Sequence, residues 1–276
     1  MSEQYEPNRR LLNSQLKLRG RGFYLLPNLF TTAGLFGGFY AIVQAMNGRY
    51  EHAAVAIFIA MIMDGLDGRV ARLTHTQSAF GAEYDSLSDM VAFGIAPALV
   101  VYVWSLKGLG KLGWIAAFIY AACAALRLAR FNTQLQVADK RYFQGLPSPA
   151  AAGFLAGFVW VMQDYQIKGV DIKWVACALT LFAALSMVSN VRYYSFKDIN
   201  FRKSVPFVVL LLLVLSFVLI SIDPAQVLFG IFIAYALSGY IVSLWQFKQQ
   251  KTVDKRHRKA DRRRRAVDKP PRDLHK

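Results

Sequence analysis

The sequence predicts an all-α membrane protein, a polytopic transmembrane helical bundle of about eight spans. Of its 276 residues 55% are hydrophobic and only 18% are charged, and the mean hydropathy is +0.30. In ordinary soluble domains, apolar residues make up a little under half of the chain. The apolar residues also come in long blocks, most of which approach or exceed the roughly 20 residues that a helix needs to cross a bilayer. The charge-free windows are 22–48, 90–106, 112–126, 145–163, 174–191, 204–222 and 224–247.

An eighth span is predicted where apolar sequence runs into charge. The segment 53–63 is apolar and free of charge, and its helical pattern continues into Asp64 and Asp67. The windows 53–63 and 112–126 are short for spans by themselves, and the count of eight includes both.

Polar ends flank this membrane domain. The first 21 residues are polar, and the apolar stretch after them is already long enough to span, so no cleavable signal peptide is expected. We divide the chain into a cytoplasmic N-terminal segment, 1–21, a transmembrane domain that would carry any catalytic site, 22–247, and a basic tail, 248–276. Cys123 and Cys177 fall inside apolar spans and are interpreted as small core residues rather than a disulfide or metal pair.

The distribution of positive charge predicts the orientation. If both ends of an eight-span chain are cytoplasmic, 28 Lys and Arg residues lie on that side and 5 on the other, together the 33 of the sequence. The five are Arg49, Lys107, Lys111, Lys168 and Lys173. Because loops rich in Lys and Arg stay in the cytoplasm, both termini are predicted there, in a multi-pass protein of the inner (cytoplasmic) membrane.

The tail is the most basic part of the chain. It contains a run of four arginines, 262–265, and has no apolar periodicity, so it is expected to be disordered. A solvated tail that also contacts anionic lipid gains about 1 kcal/mol per basic residue near the surface. Nucleic-acid binding would need interleaved aromatic residues or a folded reader, and the tail has neither. Membrane lipid, and not nucleic acid, is the predicted partner.

Four regularly spaced aspartates are the strongest functional candidates. Asp64 and Asp67 are three positions apart and Asp85 and Asp89 are four apart, so on helices each pair lies on one face. If the second and third spans are antiparallel neighbours joined by the turn 73–84, the two pairs face each other. Four carboxylates then converge.

These carboxylates need compensating positive charge. A single Asp at mid-membrane costs about 2.5 to 3.5 kcal/mol on insertion scales, and the nearby Arg69 and Arg72 cannot neutralise four acids. Oxygen ligands without His or Cys favour Mg²⁺ or Mn²⁺ over Zn²⁺. Two divalent ions held by the four aspartates would suit phosphoryl chemistry, because they neutralise a diphosphate and stabilise the leaving oxygen.

Residues between the aspartates fit the same chemistry. Gly68 and Gly81 have no side chains and would let a nucleotide or diphosphate approach the helix backbone closely. Arg72 can donate paired hydrogen bonds to phosphate oxygens. The alternative is a set of solvated acids at a helix end, but four acids, two glycines and an arginine in fixed register favour a specific site.

The run from Asp64 to Asp89 resembles the signature of the CDP-alcohol phosphotransferase family. That signature is Asp-x2-Asp-Gly-x2-Ala-Arg-x8-Gly-x3-Asp-x3-Asp, and the chain matches every fixed position, including Ala71. The resemblance implies a core of six transmembrane helices, an active site near the cytoplasmic face, divalent metal and a homodimer. It also implies that Asp64, Asp67 and Asp85 bind metal and that Asp89 is the general base and contacts metal as well.

Three further segments resemble one branch of the family, the bacterial membrane-type phosphatidylserine synthases. They are LPNLFT at 26–31, LRLARFN at 126–132 and FQGLPSP at 143–149. This resemblance implies transfer of the phosphatidyl group of CDP-diacylglycerol to L-serine, with CMP as the other product. The last two spans would be additions to the six-helix core.

Polar residues of span one are candidate contacts to the donor lipid. Asn28 and Thr31 could hydrogen-bond the cytosine or ribose, and a polar pair at a helix start is the alternative. The full set of predicted contacts to the CDP-lipid is Asn28, Thr31, Asp64, Gly68, Ala71, Arg72 and Gly81.

A second polar cluster, Arg127, Arg130, Asn132, Pro147 and Ser148, is predicted to bind the acceptor. The carboxylate of serine needs a cation or a helix N-terminus, and the arginines and the proline-opened span five offer both. The alternative is that the arginines are positive-inside anchors and the prolines a plain span entrance.

The predicted reaction is attack of the serine hydroxyl on the lipid-side phosphorus, with Asp89 taking the proton. Direct transfer and a covalent phosphatidyl intermediate are both compatible with the sequence. Glycerol 3-phosphate, inositol phosphate and choline are alternative acceptors within the family. A membrane cation transporter is the alternative from another class, but it would place carboxylates near the midplane of repeated halves, and the second half of this chain has no matching set.

Overall fold

A computed structural model describes residues 6–134, 142–194 and 207–243 of the chain. The regular structure over these residues is helical, apart from one pair of three-residue strands. The helices are α1 (Glu6–Met46), α2 (Tyr50–Leu73), α3 (Ala79–Asp89), α4 (Ala96–Trp104), α5 (Lys111–Gln134), α6 (Ser148–Asp164), α7 (Lys173–Val188), α8 (Phe207–Ile222) and α9 (Pro224–Ser243). The all-α prediction is confirmed, and the prediction for the basic tail lies outside the described residues.

Each of the eight predicted spans contains helix. Four segments of the described chain are long and apolar enough to cross a membrane: Leu26–Met46, Ala79–Trp104, Lys111–Thr133 and Pro224–Ser243. Of the others, α2 contains charged residues, and α6, α7 and α8 are 17, 16 and 16 residues long. The chain is therefore a helical membrane protein, and eight stays the predicted number of spans.

The third predicted span is one continuous helix with a widened turn. α3 passes through a π-helical turn, Met90–Ile95, into α4. Such turns take main-chain carbonyls out of the α-helical register and are frequent at functional sites. Here the buried hydroxyl of Tyr120 on α5 donates a hydrogen bond to the carbonyl of Phe93, at 3.2 Å. The turn follows directly on the helix that carries Asp85 and Asp89.

Small residues let α1 approach its neighbours closely. A Cβ atom added at Gly38 would lie 2.6 Å from the Cα of Ala92, in the π turn. One added at Gly37 would lie 3.1 Å from the Cβ of Ala60 on α2. A larger residue at Gly38 would collide with this backbone. The close packing of α1 against the two helices that carry the aspartates therefore depends on these glycines.

α9 packs closely against α6. An added Cβ at Gly153 would lie 2.7 Å from the ring of Phe232, and one at Gly157 would lie 3.1 Å from Phe229. The hydroxyls of Ser186 on α7 and Tyr240 on α9 are hydrogen-bonded at 2.7 Å. The helix predicted as an addition to a six-helix core is thus packed into it.

Two short strands, which the sequence did not predict, lie where α6 begins. β1 (Tyr142–Gln144) and β2 (Arg192–Tyr194) pair antiparallel, with Phe143 opposite Tyr193. The buried Tyr193 donates a hydrogen bond from its hydroxyl to the carbonyl of Ala236, at 3.0 Å. The strands therefore connect the chain before α6 to the chain after α7 and to α9.

Candidate metal centre and substrate cavity

The four aspartates meet where α2 and α3 lie side by side. One carboxylate oxygen from each of Asp64, Asp67 and Asp85 lies within 4.8 Å of the others. The carboxyl group of Asp89 lies within hydrogen-bonding distance of that of Asp64. The structure thus brings together all four residues that the sequence singled out, with each pair on one face of its helix.

This donor set fits a divalent cation. Oxygens bound to one Mg²⁺, Mn²⁺ or Ca²⁺ ion lie about 2.0 to 2.6 Å from it, and hence within about 4 to 5 Å of one another. The three grouped oxygens meet this condition. The ligands are carboxylates alone, without the sulfur or imidazole groups typical of zinc sites.

α1 holds one of the aspartates in place. The hydroxyl of Thr31 contacts Asp67 Oδ2 at 2.7 Å and the carbonyl of Pro27 at 3.1 Å. Asp67 is only 5% exposed, so this contact is shielded from solvent. The hydroxyl of Ser88 donates to the carbonyl of Thr31, at 3.0 Å. The sequence assigned Thr31 to the nucleotide, and the structure places its hydroxyl on a carboxylate of the metal centre.

The aspartates line a cavity of about 690 Å³. Every predicted contact to the CDP-lipid lines it, as do Arg127, Pro147 and Ser148 of the predicted acceptor cluster. Further lining residues, which the sequence analysis did not select, are Pro27, Gly65, Thr76, Gln77, Ser78, Ala82, Leu128, Phe131 and Pro149. Pro27, Leu128, Phe131 and Pro149 belong to the three segments that carry the family resemblance. Ser78 has a signal of its own: it begins α3 as its N-cap and accepts a hydrogen bond from the amide of Gly81, at 3.0 Å.

The part of the cavity wall that α5 and α6 form carries a buried arginine. Arg127 of α5 is 9% exposed, and its Nη1 donates to the hydroxyl of Ser148 at 2.9 Å. Its Nε has no hydrogen-bond partner among the described residues. Asp89, which lines the same cavity, lies close enough to interact electrostatically with this guanidinium. A buried cation with a free donor is suited to hold an anionic group of a ligand.

Arg130 and Asn132, the other predicted acceptor residues, do not line the cavity. Arg130 Nη2 donates to Gln144 Oε1 and, at 3.0 Å, to Asn190 Oδ1. Asn132 Nδ2 donates to the hydroxyl of Ser86, at 2.9 Å. The structure therefore separates the predicted cluster into residues that face the cavity and residues that contact its walls from outside.

Arg72 lines the cavity beside the second aspartate. Its Nε donates to the carbonyl of Gly68 at 2.9 Å, which holds the side chain along α2. A Cβ added at Gly68 would meet no other atom within 4 Å, so the backbone of α2 is open to the cavity there.

Comparison with known proteins identifies the same part of the chain. Residues 24–188 match the family model of CDP-alcohol phosphatidyltransferases. A protein of Helicobacter pylori strain J99 named CDP-diacylglycerol–serine O-phosphatidyltransferase is 36% identical over 218 residues, which cover 79% of this chain and 92% of that protein. A protein of Mycobacterium tuberculosis strain H37Rv with the same name is 32% identical over 223 residues, covering 79% of this chain and 77% of the other.

A third protein of that name comes from Methanocaldococcus jannaschii. It is 41% identical over a shorter region of 137 residues, which covers 50% of this chain and 61% of that protein. Proteins with this name therefore occur in Helicobacter, Mycobacterium and Methanocaldococcus.

Proposed function

Because this chain belongs to the CDP-alcohol phosphatidyltransferase family, we propose that it transfers the phosphatidyl group of CDP-diacylglycerol to L-serine, giving phosphatidylserine and CMP. The observation that carries the proposal is the convergence of the four signature aspartates on a cavity whose other wall holds a buried arginine. Family membership makes the chain a transferase. The names of these relatives support CDP-diacylglycerol and serine as its substrates.

The aspartates would hold divalent metal, Mg²⁺ or Mn²⁺, with Asp64, Asp67 and Asp85 as ligands and Asp89 beside them. Bound there, the metal would neutralise the diphosphate of the donor and polarise the phosphorus. Two ions would balance four carboxylates. Thr31 fixes the orientation of Asp67 through its 2.7 Å contact.

The donor head group would lie along α2 and the start of α3. Gly68 leaves the helix backbone open there, and Arg72 offers its remaining guanidinium donors to phosphate oxygens. Asn28 lines the same side of the cavity and would contact the cytidine. Ala71 and Gly81 complete this side with small residues, which leave room for a nucleotide.

The acceptor would lie at the opposite wall. Arg127 has a free Nε donor and would bind the carboxylate of serine, while Ser148 holds the guanidinium in place. Pro147 shapes the entrance of α6 beside them. Serine held by its carboxylate would direct its hydroxyl towards Asp89, the aspartate that acts electrostatically on Arg127.

In the proposed reaction the serine hydroxyl oxygen forms a bond to the lipid-side phosphorus. The bond from that phosphorus to the bridging oxygen of the diphosphate breaks, and CMP leaves with this oxygen. Asp89 takes the proton of the hydroxyl, as a general base within the cavity. The phosphatidylserine formed keeps its acyl chains in the membrane.

The membrane orientation is part of the proposal. Both termini and the cavity would face the cytoplasm, because 28 of the 33 Lys and Arg residues then lie on that side. Residues 22–247 would form the catalytic domain, and the basic tail would contact anionic lipid. A homodimer is proposed from the family resemblance alone.

Labelled serine provides the test. Purified protein in detergent is given CDP-diacylglycerol, Mn²⁺ and serine carrying ¹⁸O in its hydroxyl, and the lipids are examined by mass spectrometry. We expect phosphatidylserine that retains the ¹⁸O, because the serine oxygen attacks the phosphorus. Phosphatidylserine without the label would contradict this mechanism, and absence of phosphatidylserine together with CMP release by another alcohol would contradict serine as the acceptor.

A further inference from the structure

Three polar side chains near the end of α5 contact different parts of the site. Arg127 enters the cavity, whereas Arg130 and Asn132, three and five residues later, do not line it. The latter two side chains each make hydrogen bonds to another element. What those elements carry indicates what the two residues do.

Arg130 holds the wall behind Ser148. Its Nη2 donates to Gln144, the last residue of β1, and to Asn190, just after α7. Gln144 lies four residues before Ser148, which is the hydrogen-bond partner of Arg127. We call residues 144–149 the acceptor wall.

The acceptor wall is fixed along its length to the end of α7. The amide of Gly145 donates to the carbonyl of Val191 and the amide of Leu146 to that of Ser186, both at 2.9 Å. Leu146 is fully buried. A displacement of Gln144 is therefore transmitted along a short, anchored segment to Ser148 and Arg127.

Asn132 holds the helix that carries two aspartates. Its amide donates to Ser86, which lies between Asp85 and Asp89 on α3. On its other side α3 is hydrogen-bonded to α1, through Tyr84 and Thr32 at 2.9 Å. α3 is therefore hydrogen-bonded to α1 on one side and to α5 on the other.

We propose that Arg130 and Asn132 are positioning residues that act on opposite walls of the cavity: Arg130 on acceptor binding through Gln144, and Asn132 on metal binding through Ser86. The inference rests on the proposed function for its acceptor side. Neither residue contacts substrate. Their variants are therefore expected to affect different steps.

The proposed role of Arg130 is tested by a double-mutant cycle with its hydrogen-bond partner Gln144. In Arg130→Gln the serine KM is expected to rise on the order of three- to tenfold, the effect of one or two hydrogen bonds, with kcat changed by less than about twofold. Gln144→Ala should reproduce this rise, and the double variant should be no worse than either single one. Arg130→Lys, which can donate to one of the two acceptors, should fall between.

A direct contact between Arg130 and serine would give another pattern. Arg130→Gln would then raise the serine KM while Gln144→Ala left it unchanged, and the two effects would be independent in the double variant. That result overturns the proposal for Arg130.

The proposed role of Asn132 is tested by metal binding, without a measurement of catalysis. Mn²⁺ binding to the purified protein is followed by the electron paramagnetic resonance signal of free Mn²⁺, with no substrate present. Asn132→Ala and Ser86→Ala are each expected to weaken Mn²⁺ binding by about two- to tenfold, as expected for one lost hydrogen bond, and to leave the serine KM within about twofold. Unchanged Mn²⁺ binding in both variants, or a raised serine KM in Asn132→Ala, overturns the proposal for Asn132.

Thr133→Ala is the matched control on the same turn of α5. Its hydroxyl donates to the carbonyl of Arg130 within the helix and reaches neither wall, so both readouts should stay at wild-type values. If the wild type uses another acceptor, the proposed function fails while the Mn²⁺ experiment still decides the role of Asn132. The KM cycle is then measured with the acceptor that the wild type does use.

Discussion

The two walls of the cavity are built in different ways. The metal wall comes from one continuous stretch of chain, in which 26 residues from Asp64 to Asp89 supply all four carboxylates. The acceptor wall lies between β1 and the start of α6, and it is held by the end of α5 and by residues after α7. A local stretch leaves a fixed spacing in the sequence, whereas a wall assembled from distant segments does not.

The largest expected effect is on the metal wall. Asp89→Asn removes the proposed general base while keeping the size of the side chain, and CMP release with serine should fall by about 10²- to 10⁴-fold. The measurement is the rate of CMP release from CDP-diacylglycerol at saturating serine. The midpoint of thermal unfolding serves as the control for folding of the variant, and a rate within tenfold of wild type would remove Asp89 from catalysis.

Arg127→Lys addresses the opposite wall. A lysine keeps the charge but loses the forked donors, and a charge-assisted hydrogen bond contributes about 1.5 to 3 kcal/mol, so the serine KM should rise about 10- to 100-fold. Mn²⁺ binding should be unaffected. A serine KM equal to that of wild type would show that another group binds the acceptor carboxylate.

Gly145→Ala tests how the acceptor wall is anchored. Gly145 has a φ of +81°, and an added Cβ would lie 2.1 Å from the carbonyl oxygen of Met187. The left-handed backbone alone costs about 1 to 2 kcal/mol for a non-glycine residue, and the collision adds to it, so a lowered midpoint of thermal unfolding is expected. Gly230→Ala on α9 is the control, because a Cβ there meets nothing within 4 Å; equal midpoints for both variants would contradict the role given to Gly145.

Thr31→Val, which acts on the metal wall, is expected to have the smallest effect. The valine has the shape of threonine but cannot hydrogen-bond Asp67, and the loss of one such bond, about 1 kcal/mol, should weaken Mn²⁺ binding about fivefold. Thr180→Val on α7, whose hydroxyl bonds only within its own helix, should leave Mn²⁺ binding unchanged. Identical affinities in the two variants would mean that Thr31 does not support the metal centre.

The same contrast explains what the sequence could predict. Helical spans and the convergence of Asp64, Asp67, Asp85 and Asp89 follow from apolar blocks and from helical spacing, both of which are local patterns. The placement of Arg127 and Arg130 does not. Both are arginines near the end of α5, and only packing against α6 and β1 directs one into the cavity and the other to Gln144.

The strands were missed for a related reason. β1 and β2 have three residues each and pair across 47 intervening residues, from Gln144 to Arg192. Their lengths are too short for an alternating apolar pattern. Tyr193 is fully buried because α9 covers it, which depends on the tertiary fold and not on the sequence near Tyr193.

The most direct test of the proposed activity compares acceptors. CMP release from CDP-diacylglycerol by the purified protein with Mn²⁺ is measured with serine, glycerol 3-phosphate, inositol phosphate and choline in turn, for wild type and Asp89→Asn. We expect release that depends on serine and is lost in the variant. Release that depends on another of these alcohols, or equal release by the variant, would contradict it.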